Sequence, residues 1–266
     1  MISLVELLKE VTGQPKAIIM AGGAAVGKST LLKAIQPALT GFENLNADKY
    51  VEDKDSPLYN NLAGASALIR KQDLPNTIKA KLNFVYDTTA SNYDSTEALY
   101  NELINNNYDV MMIMVYAHPI VSFLRNYKRE RKVPAQGILG TWANVYNNID
   151  KYKSLFGNNF VLVITPSSSE EESEIKNFEE AYNSNQLQNY FDNLLSTGKF
   201  ISTFRKPDVN LSPEEKLKKE KSRLQTKEKL RGSIELISNT FENIQNDLLD
   251  AISINELPSK VNQFIK

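Results

Sequence analysis

The chain has 266 residues, 41% hydrophobic and 24% charged, an ordinary globular composition with enough length to bury a core without cross-links. It contains no cysteine and one histidine, His118, which excludes disulfide scaffolds, thiolate nucleophiles, Cys/His zinc sites and any serine triad not built on that imidazole. With 31 basic and 32 acidic residues the formal charge is -1, which argues against a chain-wide nucleic-acid field while leaving room for local patches.

In chain order, the first segment, MISLVELLKEVTG, mixes Ile2, Leu4, Val5, Leu7 and Leu8 with Glu6, Lys9 and Glu10, and reads as a short amphipathic helix without a basic leader. The longest apolar run, Val110 to Ala117, is too short to span a bilayer. A soluble, cytoplasmic protein with no membrane partner is expected. The 28 asparagines weaken a thermophile reading and suit an AT-rich genome such as many phages have, which would place the chain in a host cytoplasm or a virion.

A strand-then-helix alternation follows, the pattern of a parallel sheet with crossover helices. Strands are expected at Lys16 to Ala21, Phe42 to Asn46, Phe84 to Asp87, Asp109 to Ala117 and Phe160 to Ile164. Helices fill the intervals at Gly27 to Ile35, Leu62 to Lys81, Ser95 to Ile104, Pro119 to Arg131 and Gly137 to Phe156, with Pro75 expected to break or end the second. The acidic stretch Ser167 to Glu180 reads as a solvated loop and helix start. The expected class is α/β: a P-loop kinase-like three-layer fold over residues 1–207 with about five parallel strands, followed by an all-helical appendage over residues 208–266.

That appendage shows no strand signal. Ser212-Pro213-Glu214-Glu215 is a good helix start, and from Leu230 the positions Ile234, Ile237, Phe241, Ile244, Leu248 and Ile252 form one apolar stripe. The stripe fits packing on the main domain or on itself. A protein partner, or self-association through residues 230–252, is the alternative. Lys216 to Arg231 carries eight basic residues and two acidic, which fits a solvated helix face or, less directly, nucleic acid; no interleaved aromatic supports the latter.

The motif that carries chemistry is Gly22-Gly23-Ala24-Ala25-Val26-Gly27-Lys28-Ser29-Thr30, a complete G-x-x-x-x-G-K-[ST] match after an apolar strand and before a helix-forming run. Glycines there let successive backbone N–H groups converge on phosphate at a helix N-terminus. Lys28 would reach the β and γ phosphates, and the Ser29 hydroxyl would be a ligand of Mg²⁺. Asp48 and Asp87 stand at the carboxyl ends of the next two strands, where open α/β sheets bind ligands. Together they suit a general base and a group that positions substrate or the metal's water shell. Arg125 and Arg129 lie four apart on one expected helix face, with Arg131 where that helix gives way before Pro134; guanidinium forks of this kind stabilise a transferring phosphoryl group.

The order of P-loop, Asn46-Ala47-Asp48, Asp87-Thr88-Thr89 and Arg131-Lys132-Val133-Pro134 resembles the zeta-toxin-like branch of P-loop kinases over roughly residues 14–165. The resemblance implies that Lys28 and Ser29 handle ATP and Mg²⁺ and that Asp48 activates an acceptor hydroxyl. It also implies that Asp87 and Thr89 contact the acceptor, while Arg125 or Arg129, with Arg131, stabilises the transferred group. Asp87 stands where the toxins carry Glu followed by Gly, and Thr88 takes the Gly place. No guanine-reading Asn-Lys-x-Asp follows the fourth strand, which favours ATP. His118 and Trp142 read as structural. The expected activity is transfer of the γ-phosphoryl group to a hydroxyl of a small molecule, nucleotide, nucleotide sugar or nucleic-acid end. The alternative is an ATP-binding module that docks through its C-terminal helices, for instance in a phage assembly.

Overall fold

The computed structural model describes residues 13–53, 55–59, 61–129, 133–196 and 212–266. Five strands fall where the apolar runs predict them: β1 (Lys16–Ala21), β2 (Glu43–Leu45), β3 (Phe84–Asp87), β4 (Asp109–Tyr116) and β5 (Phe160–Ile164). A short β6 (Ile252–Ser253) completes one sheet in the order β2-β3-β1-β4-β5-β6, parallel throughout. The central strands β1 and β4 are apolar on both faces because helices cover both, so Ile18, Ile19, Met20 and Met112 to Val115 are wholly buried. β2 is an edge strand and is shorter than expected, with Glu43 and Asn44 exposed.

β6 corrects the all-helical reading of the C-terminal segment. Ile252 pairs with Val163 and Ser253 with Ile164. Two residues carry no readable period, and the pairing is dictated by the helix that delivers them to the open edge of β5.

The helices are α1 (Lys28–Ile35), α2 (Asp48–Val51), α3 (Leu62–Leu68), α4 (Leu74–Lys79), α5 (Tyr93–Asn105), α6 (Pro119–Tyr127), α7 (Ala135–Tyr146), α8 (Ile149–Phe156), α9 (Ser169–Asn183), α10 (Leu187–Ser196), α11 (Pro213–Leu248) and α12 (Leu257–Ile265). Pro75 does not break its helix. α3 runs into α4 through a π turn at Ile69–Asp73, and the wider turn accommodates a ring that has no N–H to offer and would clash in a regular α ladder. The acidic stretch forms α9, held by a capping box between Ser168 and Glu171.

α11 begins with a second capping box, Ser212 with Glu215. Leu230, Ile234, Ile237, Phe241 and Ile244 are buried, and the helix packs along α7. Burying each such side chain is worth about 1.5–3 kcal/mol, so the stripe that suggested docking onto another chain is spent within this one. Polar ties reinforce the contact: Thr240 Oγ1 donates to Asn147 Oδ1 at 2.8 Å, and Lys153 pairs with Asp247. Before Leu230 the described side chains of α11 are exposed, among them Lys221, Leu224 and Lys229. Among the described residues no helix is long and apolar enough to cross a membrane.

His118 sits at this seam. Its ring meets Phe178 of α9 at 4.7 Å and Phe241 of α11 at 5.1 Å, and its Nδ1 accepts the Ile120 N–H that opens α6. Burial pushes its pKa down from 6.5 to about 3. The unfolded chain therefore binds a proton between those values that the folded chain does not, so this group withdraws stability as pH falls from 6.5 towards 3. Replacing His118 by Phe is expected to flatten the loss of thermal stability over that window, measured as melting temperature against pH; equal slopes in the two proteins would refute the assignment. Trp142 is wholly buried, and its Nε1 donates to Ala117 O at 2.9 Å, so it serves the core and not a nucleotide base.

Candidate active site

The sheet order places β1 between β3 and β4, so the connections that leave β1 and β3 run towards opposite edges of the sheet, and beside the carboxyl end of β1 open α/β sheets leave a crevice. The P-loop leaves β1 at that point. Gly22 (φ 145) and Gly27 (φ 102) adopt backbone conformations that L side chains rarely take, and Ala25 (φ 61) joins them. A Cβ on Gly22 would lie 2.9 Å from Val115 O. α1 starts at Lys28 with no side-chain cap and no acid in its first turn, so its leading N–H groups face the crevice with the dipole behind them. An anion fits this cradle.

A cavity of about 600 Å³ opens over the loop, and Lys28, Ser29, Asp48, Asp87, Thr89 and Arg129 are among the residues that line it. Strand register explains the meeting: Met20 pairs with Asp87, and Thr88 N–H donates to Met20 O at 3.0 Å, which ties the end of β3 to the start of the P-loop. Lys28 Nζ folds back onto Gly22 O (2.7 Å) and Gly23 O (3.3 Å) and pairs with Asp87 at 3.6 Å. Asp87 is the buried partner, its side chain 9% exposed. Burial raises its pKa and the negative Asp48 adds to this, while Lys28 and Arg129 pull it back down.

Asn46 joins the two acids. Its Nδ2 donates to Asp87 Oδ2 at 3.3 Å and its Oδ1 accepts the Asp48 N–H at 2.8 Å, which sets Asp48 at the first position of α2. Sequence reasoning read Asn46 only as part of a pattern. Its place at the end of the second strand, two residues before Asp48, was the available signal. Arg70, within the π turn, also lines the cavity and was not anticipated, because nothing local marks that segment as facing the crevice.

The arginines separate. α6 ends at Tyr127, short of the expected Arg131, because Asn126 turns its amide to clamp Val133: Nδ2 donates to Val133 O at 2.8 Å and Oδ1 accepts Val133 N–H at 2.9 Å. Arg129, past the helix end, is exposed on the cavity. Arg125 is not among the cavity-lining residues. Its guanidinium forks Glu171 (Nε to Oε1 2.9 Å, Nη2 to Oε2 3.0 Å) and also donates to Thr165 Oγ1 (3.0 Å) and Pro166 O (2.6 Å). Burial alone would raise the Glu171 pKa, but hydrogen bonds from Arg125 and the Ser168 N–H hold it below the usual range. Arg131 lies outside the described residues.

Ser29 is exposed in the first turn of α1 and lines the same cavity as Asp48 and Asp87. A hydroxyl and two carboxylates are the hard oxygen donors that Mg²⁺ takes, directly or through its waters, so the residues present fit that ion beside a bound triphosphate. A second cavity of about 520 Å³ lies at the opposite, amino-terminal edge of the sheet between Phe160, Asp247 and Lys260. It has no phosphate loop.

Among solved structures the chain is similar to one from the PezAT chromosomal toxin-antitoxin system of Streptococcus pneumoniae, at 14% identity over 84% of this chain and 88% of that chain, with a TM-score of 0.45. It is also similar to the AvrRxo1-ORF1:AvrRxo1-ORF2 complex with ATP, at 13% identity over 88% of this chain and 80% of that one, with a TM-score of 0.48. In the native form of that complex the match spans only 59% of the other chain and 62% of this one, at 14% identity and a TM-score of 0.47. At these scores the likenesses are remote. No curated protein matches the chain. The sequence itself matches the Zeta toxin family over residues 5–171, well over half of its length and all of the P-loop crevice from β1 through β5, so the chain belongs to the Zeta toxin family.

Proposed function

We propose that this protein binds ATP with Mg²⁺ and transfers the γ-phosphoryl group to a hydroxyl of a small molecule or nucleotide. The observation that carries the reading is a single cavity lined by the P-loop on one side and by Asp48, Asp87, Thr89 and Arg129 on the other. The anion cradle holds the phosphates, and Lys28 exchanges its two carbonyl contacts and Asp87 for β and γ oxygens. Ser29, with Asp87 through water, would hold Mg²⁺, which when bound would neutralise charge on the β and γ oxygens.

Asp48, at the start of α2, takes the proton of the acceptor hydroxyl, and Asn46 fixes its backbone for that task. Asp87, with a raised pKa and a charged lysine beside it, holds position and charge at the interface of donor and acceptor, next to Thr89. Arg129 supplies a guanidinium from the cavity rim, with Arg131 as a second from the adjoining segment. A screen of γ-labelled ATP against nucleotides, nucleotide sugars and oligonucleotide 5′ ends tests the reading. Label is expected on one class of hydroxyl, and no transfer to any of them would contradict the proposed acceptor classes.

A further inference from the structure

Arg125 lies four residues before Arg129, inside α6, yet its environment suits a different task. Four of its N–H groups are already engaged by three residues at the end of β5 and the start of α9, and its carboxylate partner, Glu171, is 6% exposed. A guanidinium that turned towards a γ-phosphoryl group would leave that carboxylate buried and unpaired. The bonds lead instead to the underside of the P-loop. Thr165, 5% exposed, accepts from Arg125 Nη1, and its single hydroxyl proton faces Val26 O at 3.0 Å and Tyr116 O at 3.2 Å. A Cβ on Gly27 would lie 3.0 Å from Thr165 Cγ2 and 3.7 Å from Arg125 Nη1, so the pair packs directly beneath the glycine that precedes α1.

A peptide unit is planar, and its C=O and N–H point in opposite directions. Drawing the Val26 carbonyl down onto Thr165 therefore turns the Gly27 N–H up into the anion cradle. We infer that Arg125 is a positioning residue: with Glu171 as its anchor it orients the Thr165 hydroxyl, and through it the Val26–Gly27 peptide that binds phosphate. The same guanidinium ties the base of α6 to β5 and α9, which fixes the point from which the Arg129 segment extends. The inference rests on the reading of the loop as a nucleotide site.

The test is equilibrium binding of ATP with Mg²⁺ to the full chain, which does not require transfer. Thr165→Val keeps the shape and removes the hydroxyl; it is expected to weaken binding roughly tenfold, whereas Thr165→Ser, which restores the hydroxyl, stays within about threefold of the unmodified chain. Arg125→Lys is expected to weaken binding by a similar factor, and adding it to Thr165→Val should cost little more, because both act through one bond. Melting temperatures report whether each variant is folded, and the Val/Ser comparison decides the matter if the Arg125 variant is not. Unchanged ATP binding in Thr165→Val would overturn the inference, as would an Arg125→Lys protein that binds ATP normally and loses only turnover. Failure of the unmodified chain to bind nucleotide would remove the reading of the site itself, and the inference with it.

Discussion

Lys28→Ala is expected to lower ATP affinity and turnover by about two orders of magnitude or more while leaving the fold intact. Charge-assisted hydrogen bonds contribute about 1.5–3 kcal/mol each, and this ammonium is placed to make two of them to the β and γ oxygens. The side chain is 15% exposed and makes no contact that the core depends on; its carbonyl partners, Gly22 and Gly23, belong to the P-loop itself. Its removal also leaves Asp87 buried without its cation, so the pKa of that carboxyl, already raised by burial, should rise further. ATP titration beside a thermal unfolding curve checks both halves. A folded Lys28→Ala protein with undiminished affinity would remove the lysine from the phosphate site.

Asp48→Asn is expected to act on the other half of the reaction. General-base catalysis is worth about 10²–10⁴ in rate, so transfer should fall by a factor in that range. ATP affinity should change by no more than about threefold, because the base acts on the acceptor and not on the cofactor. The amide keeps the size of the side chain, and the backbone bond from Asp48 N–H to Asn46 does not depend on the carboxylate. Asp87→Asn makes the contrast. Asp87 holds Lys28 and accepts from Asn46, so its loss should disturb ATP binding and transfer together. Single-turnover rates and ATP binding on both variants separate the two roles. If Asp48→Asn lost ATP affinity as severely as turnover, its assignment as base would fail.

Much of this architecture was legible in the residues. β1, β3, β4 and β5 are short apolar runs that end in or lead to a polar or small residue, because a parallel strand inside the sheet is buried along most of its length and its carboxyl end opens onto the crevice. That is why Asp48 and Asp87 could be marked beside the P-loop before any geometry was known, and why the register of Met20 with Asp87 holds no surprise. The arginines were harder. Arg125 and Arg129 share a face only if the helix continues, and it stops at Tyr127 because Asn126 spends its side chain on Val133, seven residues away. Nothing in the local spacing announces that bond.

Arg125 then turns to Glu171 and Thr165, contacts across 46 and 40 residues that no period encodes. The same holds for β6, whose two residues become a strand only because α11 carries them to the edge of β5. The apolar stripe of α11 was plain; its partner was not, since a stripe specifies that something covers it and not what. Tertiary packing on α7 supplied the answer.

The central claim is that the cavity over the P-loop moves a γ-phosphoryl group and does not merely hold a nucleotide. ATP labelled in the γ position and ATP labelled in the α position, each incubated with the full chain, Mg²⁺ and a pool of hydroxyl acceptors, put it to the most direct test. The account predicts that γ label appears on an acceptor, that α label stays in ADP, and that both results vanish in Asp48→Asn although ATP still binds. Binding of ATP with neither label moved to an acceptor would contradict it in favour of a nucleotide-binding module, and α label on the acceptor would contradict it in favour of nucleotidyl transfer.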